Sequence, residues 1–260
     1  MTWTWGGLPL GAVEANEGAA GLTVAVVAIL LSYLLGSVPF GLVLGRLRGV
    51  DIRTVGSGNI GATNVGRALG RPWALVAFAL DFLKGYVPAW LAPGFATQAG
   101  SVGPSTLAVL CAGAAVCGHV WPLYLGFKGG KGVATACGGM VAIDPVVFLG
   151  GGAVWLVTLA LSRFVGLASI AMGMSFPVIA WLRRDAAGYG LEVVWGALAL
   201  TFLVLVRHRA NIARMRAGTE PRIGGSKPED PVAEDGRAST PRGPEGPEGR
   251  EANRENESSS

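Results

Sequence analysis

The chain has 260 residues, of which 51% are hydrophobic and only 15% charged, and its mean hydropathy is +0.47. Soluble domains carry roughly 25% charged residues, so the composition excludes an ordinary water-soluble enzyme and points to lipid as the solvent. The formal net charge of +4 is modest, and the basic residues gather at the ends of apolar runs. That placement suits anionic headgroups or anionic substrates and argues against nucleic acid as a partner.

Residues 1–21 contain no Lys or Arg and carry Glu14 and Glu17. A cleaved signal peptide would begin with a basic region, so this stretch reads as an extracytoplasmic segment ahead of a retained helix. Apolar runs then follow at Leu22–Leu44, Trp73–Leu91, Ser105–Leu125, Val133–Ile143, Val146–Ser162, Gly166–Leu182 and Leu191–Val206. Crossing the hydrocarbon takes about 20 apolar residues. The Val133–Ile143 run is short, and Asp144-Pro145 marks a tight turn after it. The reading is an all-α integral membrane protein of about seven transmembrane helices, with the membrane domain at 22–216. The 41 glycines suit close helix packing in lipid. From Ala217 to Ser260 the chain turns to Pro, Gly, Glu, Arg and Ser, which predicts a disordered polar cytoplasmic tail.

Cytoplasmic loops are those rich in Lys and Arg. Arg46, Arg48, Arg53, Arg67 and Arg71 follow the first helix, Lys128 and Lys131 the third, and Arg207, Arg209, Arg214 and Arg216 the last. The N-terminus is therefore expected outside and the C-terminus in the cytoplasm. Arg183 and Arg184 run against this orientation. Cys111, Cys117, Cys137, His119 and His208 lack the spacings of a metal site, and no metal or cofactor is expected.

Three basic, Gly-rich or amide-bearing segments fall on the expected cytoplasmic side: GSGNIGATNVGR at 56–67, GFKGGKGVAT at 126–135 and RHRANI at 207–212. Glycines let backbone amides approach an oxyanion, and Arg or Lys supply charge. Gly56, Gly58 and Gly61 fit G-x-G-x-x-G, but a membrane helix precedes them where a dinucleotide site needs a strand. The GGKG at 129–132 is not a Walker loop, because Leu125 and Gly132 stand where Gly and Ser or Thr are required. What remains is a phosphate-suited face. Asp81 and Lys84 are three apart on one helix face, where mutual pairing is the cheap arrangement in lipid.

Gly36-Ser37-Val38-Pro39, VGSGNIGATNVGRALG at 55–70, LDFLKG at 80–85, GHVWP before FKGGKGVAT, Leu167-Ala168-Ser169-Ile170 and RHRANI together resemble the bacterial PlsY family. These are membrane acyl-phosphate:glycerol-3-phosphate acyltransferases. The resemblance runs from Ser32 to about Arg216. It implies seven membrane helices in the bacterial inner membrane, a cytoplasmic active site, and acyl transfer from acyl phosphate to the 1-hydroxyl of glycerol 3-phosphate. The partners are then those two substrates and membrane lipid; nothing specifies a protein partner.

That chemistry must hold two repelling phosphates, position a hydroxyl and accept its proton. Arg67, Lys128 and Lys131 suit the phosphates. Gly56, Gly58, Ser57, Asn59, Thr63 and Asn64 suit hydrogen bonding to oxygens, with Ser57, His208 and Asn211 as catalytic candidates. His208 or a substrate phosphate oxygen is the base. Ser169 is expected to line the pocket, while Ser37, Arg53, Asp81, Lys84 and His119 are further candidates, His119 more structural than catalytic. The acyl chain should lie in a groove between helices. The competing reading is a transporter of a small phosphorylated or anionic solute.

Overall fold

The structure, a computed structural model, describes residues 18–99 and 102–224. The extracytoplasmic segment, except its last residues, and the tail beyond Gly224 lie outside the described residues. Contacts divide the chain into Met1–Ile223 and Gly224–Ser260, and only Gly224 of the second unit is described.

Ten helices and two short 3-10 turns make up the described residues, with no strand among them. They are α1 (Gly18–Gly36), α2 (Phe40–Leu47), α3 (Ala62–Leu69), α4 (Arg71–Ala99), α5 (Pro104–Val120), α6 (Val133–Ile143), α7 (Pro145–Ser162), α8 (Val165–Ala187), α9 (Leu191–Arg207) and α10 (Arg209–Arg216). Large apolar side chains such as Leu31, Leu75, Leu149, Leu161, Leu182 and Phe202 are exposed on the outside, as a lipid solvent allows.

Among the described residues, five segments are long and apolar enough to cross a membrane, six if the bent α9–α10 pair is counted. The run expected as the fourth span forms α6, but its 11 residues rise only about 17 Å at 1.5 Å per residue. Most of α6 is buried inside the bundle instead. The first apolar run is broken at Ser37-Val38-Pro39 into α1 and α2.

Helix α4 is central, packing on α1, α3, α5 and α6, while α7, α8 and α9 form a row that returns to α5. Glycines permit the closest approaches. A Cβ at Gly85 of α4 would stand 2.0 Å from the Thr135 carbonyl oxygen of α6, and one at Gly138 of α6 would stand 2.0 Å from that of Phe82. Backbone contact of this kind is how helices associate without a hydrophobic driving force.

Asp144 explains both the turn before α7 and the arginine that ran against the charge rule. Its carboxylate accepts the Val146 and Val147 amides as the N-cap, with Pro145 in the first turn. The same carboxylate takes the Arg183 guanidinium at 2.8 Å and the Tyr189 hydroxyl at 3.1 Å. Arg183 has a structural partner there; Arg184 lies over the Trp181 ring.

Candidate active site

The 56–67 segment is not a loop throughout, as its glycines suggested. Ala62–Leu69 is helical, its Val65 buried beneath. Asn64 shapes the turn before it: the side-chain oxygen accepts the Ser57 amide at 2.9 Å, and its NH2 donates to the Ile52 carbonyl at 2.8 Å. That amide bonds the chain itself, while Asn64 also lines a cavity. Asn59 caps Gly61 through its oxygen at 2.8 Å. Ala62 and Thr63 of its first turn, whose amides lack intrahelical partners, line that cavity.

The 126–132 segment works the same way. Gly129 and Gly130 do not offer their amides to an anion, because these donate to the Val120 and His119 carbonyls at 3.2 and 3.1 Å. The loop folds so tightly on the end of α5 that a Cβ at Gly130 would fall 2.1 Å from His119 Nε2. The Arg207 guanidinium closes it from the other side, donating to the Gly129 and Gly130 carbonyls at 2.9–3.1 Å. Gly132 then takes a left-handed φ of 79° and starts α6. The first turn of α6, Val133 and Ala134, lines the same cavity. The two Gly-rich segments thus aim two helix N-termini, each carrying a partial positive charge, at one space.

That space is a cavity of about 1050 Å³. Its polar lining includes Ser57, Asn59, Thr63, Asn64, Arg67, Lys131, His208 and Asn211, together with Asp81, His119 and Ser169. Its apolar arm is walled by Leu75 and Phe78 of α4 and by Phe148, Leu149, Gly152, Ala153 and Leu156 of α7. Ser169 donates to the Val165 carbonyl at 2.9 Å.

Chain geometry bends by 52° at His208, between α9 and α10. His208 Nδ1 is 2.8 Å from the Val204 carbonyl, which can only accept, so the proton sits on Nδ1 and the Nε2 lone pair is left for the cavity. Burial first, then the Lys131 ammonium, push the His208 imidazole down to about 4. Burial likewise pulls Lys131 down to about 8, partly opposed by Glu220. Lys131 Nζ donates to Asn211 Oδ1. Asn211 Nδ2 in turn donates to Glu220 at 2.6 Å, and Arg214 meets the other Glu220 oxygen at 2.6 Å.

Several expected site residues do not reach the cavity. Lys128 is exposed, and Arg53 is bound to Asp51 at 2.6 Å. The buried Ser37 hydroxyl donates to the Tyr33 carbonyl at 2.9 Å, and Lys84 turns to the Val38 carbonyl. Gly56 and Gly58 shape the turn without lining the space. Conversely, Arg214 and Glu220 carry no site role in the sequence reading, and Arg207, the first residue of RHRANI, is read there as a topology marker within a phosphate-suited segment and not as a clasp on the glycine loop. Glu220 lies past the expected end of the domain at 216, yet it is buried and Ile223 donates its amide to the Arg163 carbonyl at 2.9 Å. The ordered chain therefore extends beyond that boundary.

A cavity inside an apolar helix bundle, cationic and amide-lined at one end and apolar along the other, defines an enzyme that works on an anionic group next to a lipid chain. Comparison with known proteins agrees. Residues 26–218 match the model of the glycerol-3-phosphate acyltransferase family. A glycerol-3-phosphate acyltransferase of Aquifex aeolicus is 45% identical over 200 residues, covering 76% of this chain and 99% of the relative. One from Rhodospirillum rubrum is 46% identical over 207 residues, covering 79% and 94%. The crystal structure of PlsY, an integral membrane glycerol 3-phosphate acyltransferase, in its glycerol 3-phosphate form, aligns with a TM-score of 0.69 at 42% identity over 76% of this chain and 94% of that one. Its lysophosphatidic acid form aligns with a TM-score of 0.68. The chain belongs to the glycerol-3-phosphate acyltransferase family.

Proposed function

We propose that this protein transfers a fatty acyl group from acyl phosphate to the 1-hydroxyl of glycerol 3-phosphate, at the cytoplasmic end of a bacterial inner-membrane bundle. The observation that carries the reading is the pairing of two helix N-termini, with Arg67 and Lys131 beside them, at the head of an apolar arm. Two anions and one acyl chain have matching places there.

The hydroxyl oxygen attacks the acyl carbonyl carbon, the bond from that carbon to the phosphate oxygen breaks, and inorganic phosphate leaves with the electron pair. Phosphate is already a good leaving group from a mixed anhydride, so the enzyme's work is positioning and charge stabilisation. The hydroxyl proton needs an acceptor. His208 Nε2 faces the site, but an imidazole held near 4 is a weak base. A phosphate oxygen, with a second pKa of about 6, is the stronger acceptor, and Asn211 holds the Lys131 ammonium beside it through Oδ1.

The donor is tested by giving purified protein radiolabelled glycerol 3-phosphate with acyl phosphate, acyl-CoA and acyl-carrier protein in parallel. A chloroform-soluble product should form with acyl phosphate alone. Equal turnover with acyl-CoA would overturn the donor assignment, and a filled vesicle with no lipid product would mean transport. Orientation is tested by cysteines placed at Arg48 and Ser226 in a background lacking Cys111, Cys117 and Cys137. Both should resist an impermeant thiol reagent outside intact cells; rapid labelling of either would reverse the topology.

A further inference from the structure

Asp81, Lys84 and His119 form a buried polar cluster to which the reaction as described assigns no step, although Asp81 and His119 also line the cavity. Their exposures are 2%, 2% and 4%. Lys84 Nζ lies 2.7 Å from Asp81 Oδ1, and His119 Nδ1 lies 3.5 Å from the same oxygen. His119 Nδ1 and Asp81 Oδ1 both lack a hydrogen-bond partner among the described residues, so Asp81 joins its two neighbours by ionic proximity.

Each end of the cluster holds backbone. Lys84 Nζ donates to the Val38 carbonyl at 2.9 Å, at the break between α1 and α2. Within α2, Gly41 lies so close to the 56–67 segment that a Cβ would stand 2.0 Å from the Ile60 carbonyl oxygen. At the other end, the His119 carbonyl accepts the Gly130 amide and the ring packs beneath Gly130. A buried ion pair adds little stability over apolar side chains of similar volume. What these three contribute is a fixed geometry between segments from α1–α2, α4 and α5.

We propose that Asp81, Lys84 and His119 are positioning residues that hold the two Gly-rich segments, and with them the N-termini of α3 and α6, at one fixed separation. Lys84 reaches the 56–67 side and His119 the 126–132 side, with Asp81 joining them. The inference rests on the proposed reaction, in which two phosphates are held at once. Neither substrate need touch Lys84; its effect passes through Val38 and α2.

The test separates the two sides by KM. Asp81→Asn combined with Lys84→Met removes both charges together, so neither is left unpaired in lipid, and His119→Gln is the second variant. The double variant should raise KM for both glycerol 3-phosphate and acyl phosphate by about tenfold. His119→Gln should raise KM for one substrate and leave the other within about twofold. Thermal unfolding in detergent, run alongside, reports the folded fraction. If both KM values stay at wild type while maximal rate falls in step with folded protein, the cluster is a structural ion pair only and the proposal fails. If both variants raise KM for the same single substrate, the two segments are not joined through Asp81 and the proposal also fails. Failure of the wild-type protein to use acyl phosphate would instead sink the proposed reaction.

Discussion

At the residue scale, Lys131 and His208 turn burial into pH dependence. A lysine lowered to about 8 keeps its ammonium below that pH and loses it as pH rises through it. The charge that attracts phosphate is thus present at neutral pH and fades on the alkaline side. The pH profile of kcat/KM, which reports the free enzyme, should fall above about 8. Lys131→Arg should push that fall to higher pH, even if it lowers the plateau; an unchanged alkaline limb would clear Lys131 of the effect. For His208, the sign differs. Its folded imidazole is already neutral above about 4, so it undergoes no charge change near the ordinary value of about 6.5. His208→Ala should lower kcat while leaving any limb near neutral pH in place, as expected of a group that does not accept the proton. Disappearance of such a limb would make His208 the base after all.

At the element scale, the sequence disclosed helices where apolar runs ended in recognisable signals. Val133–Ile143 is α6 to the residue, because Gly132 precedes it and Asp144-Pro145 both stops it and caps α7. The second run was expected to end at Leu91, yet α4 continues through Pro88 and Pro93 to Ala99. Membrane helices tolerate proline where neighbours satisfy the freed carbonyls. Helix α3 was hidden because its Gly-flanked sequence has weak propensity, and packing of Val65 and Asn64 supplies what propensity lacks. The chemical class of the site was legible from RHRANI and the glycine blocks. Which amides are free was not, since that depends on Gly129 and Gly130 bonding back to α5. Arg207 tests this arrangement. One guanidinium reaches two carbonyls; an ammonium cannot reproduce that fork. Arg207→Lys should therefore raise KM for a phosphate substrate by about tenfold, equivalent to ~1.4 kcal/mol, with little change in thermal unfolding. An unaltered KM would show that the loop holds its shape without the clasp.

At the scale of the whole molecule, the chain past the expected boundary at 216 still contacts the bundle through Glu220 and Ile223. Glu220 joins Asn211 and Arg214, and its removal would leave both free to shift. Truncation after Gly224 should preserve acyl transfer. Truncation after Ala217 should cost more than about tenfold, or 1.4 kcal/mol of transition-state stabilisation. Equal activity of the two truncated proteins, measured per folded molecule, would show Glu220 to be dispensable.

The apolar arm between α4 and α7 has a consequence for traffic. Leu75, Leu149 and Leu156 wall the cavity and carry large exposed surfaces, as an arm open sideways to the hydrocarbon would require. Each methylene drawn into water costs about 0.8 kcal/mol, and a tail of some sixteen carbons would then cost on the order of 12 kcal/mol to release into the cytosol. With a lateral opening, the fatty chain stays in the bilayer while only the headgroup changes. For the proposed reaction, donor would then arrive and product depart by diffusion in the plane, and whatever acts next on that product would find it within the same sheet of lipid.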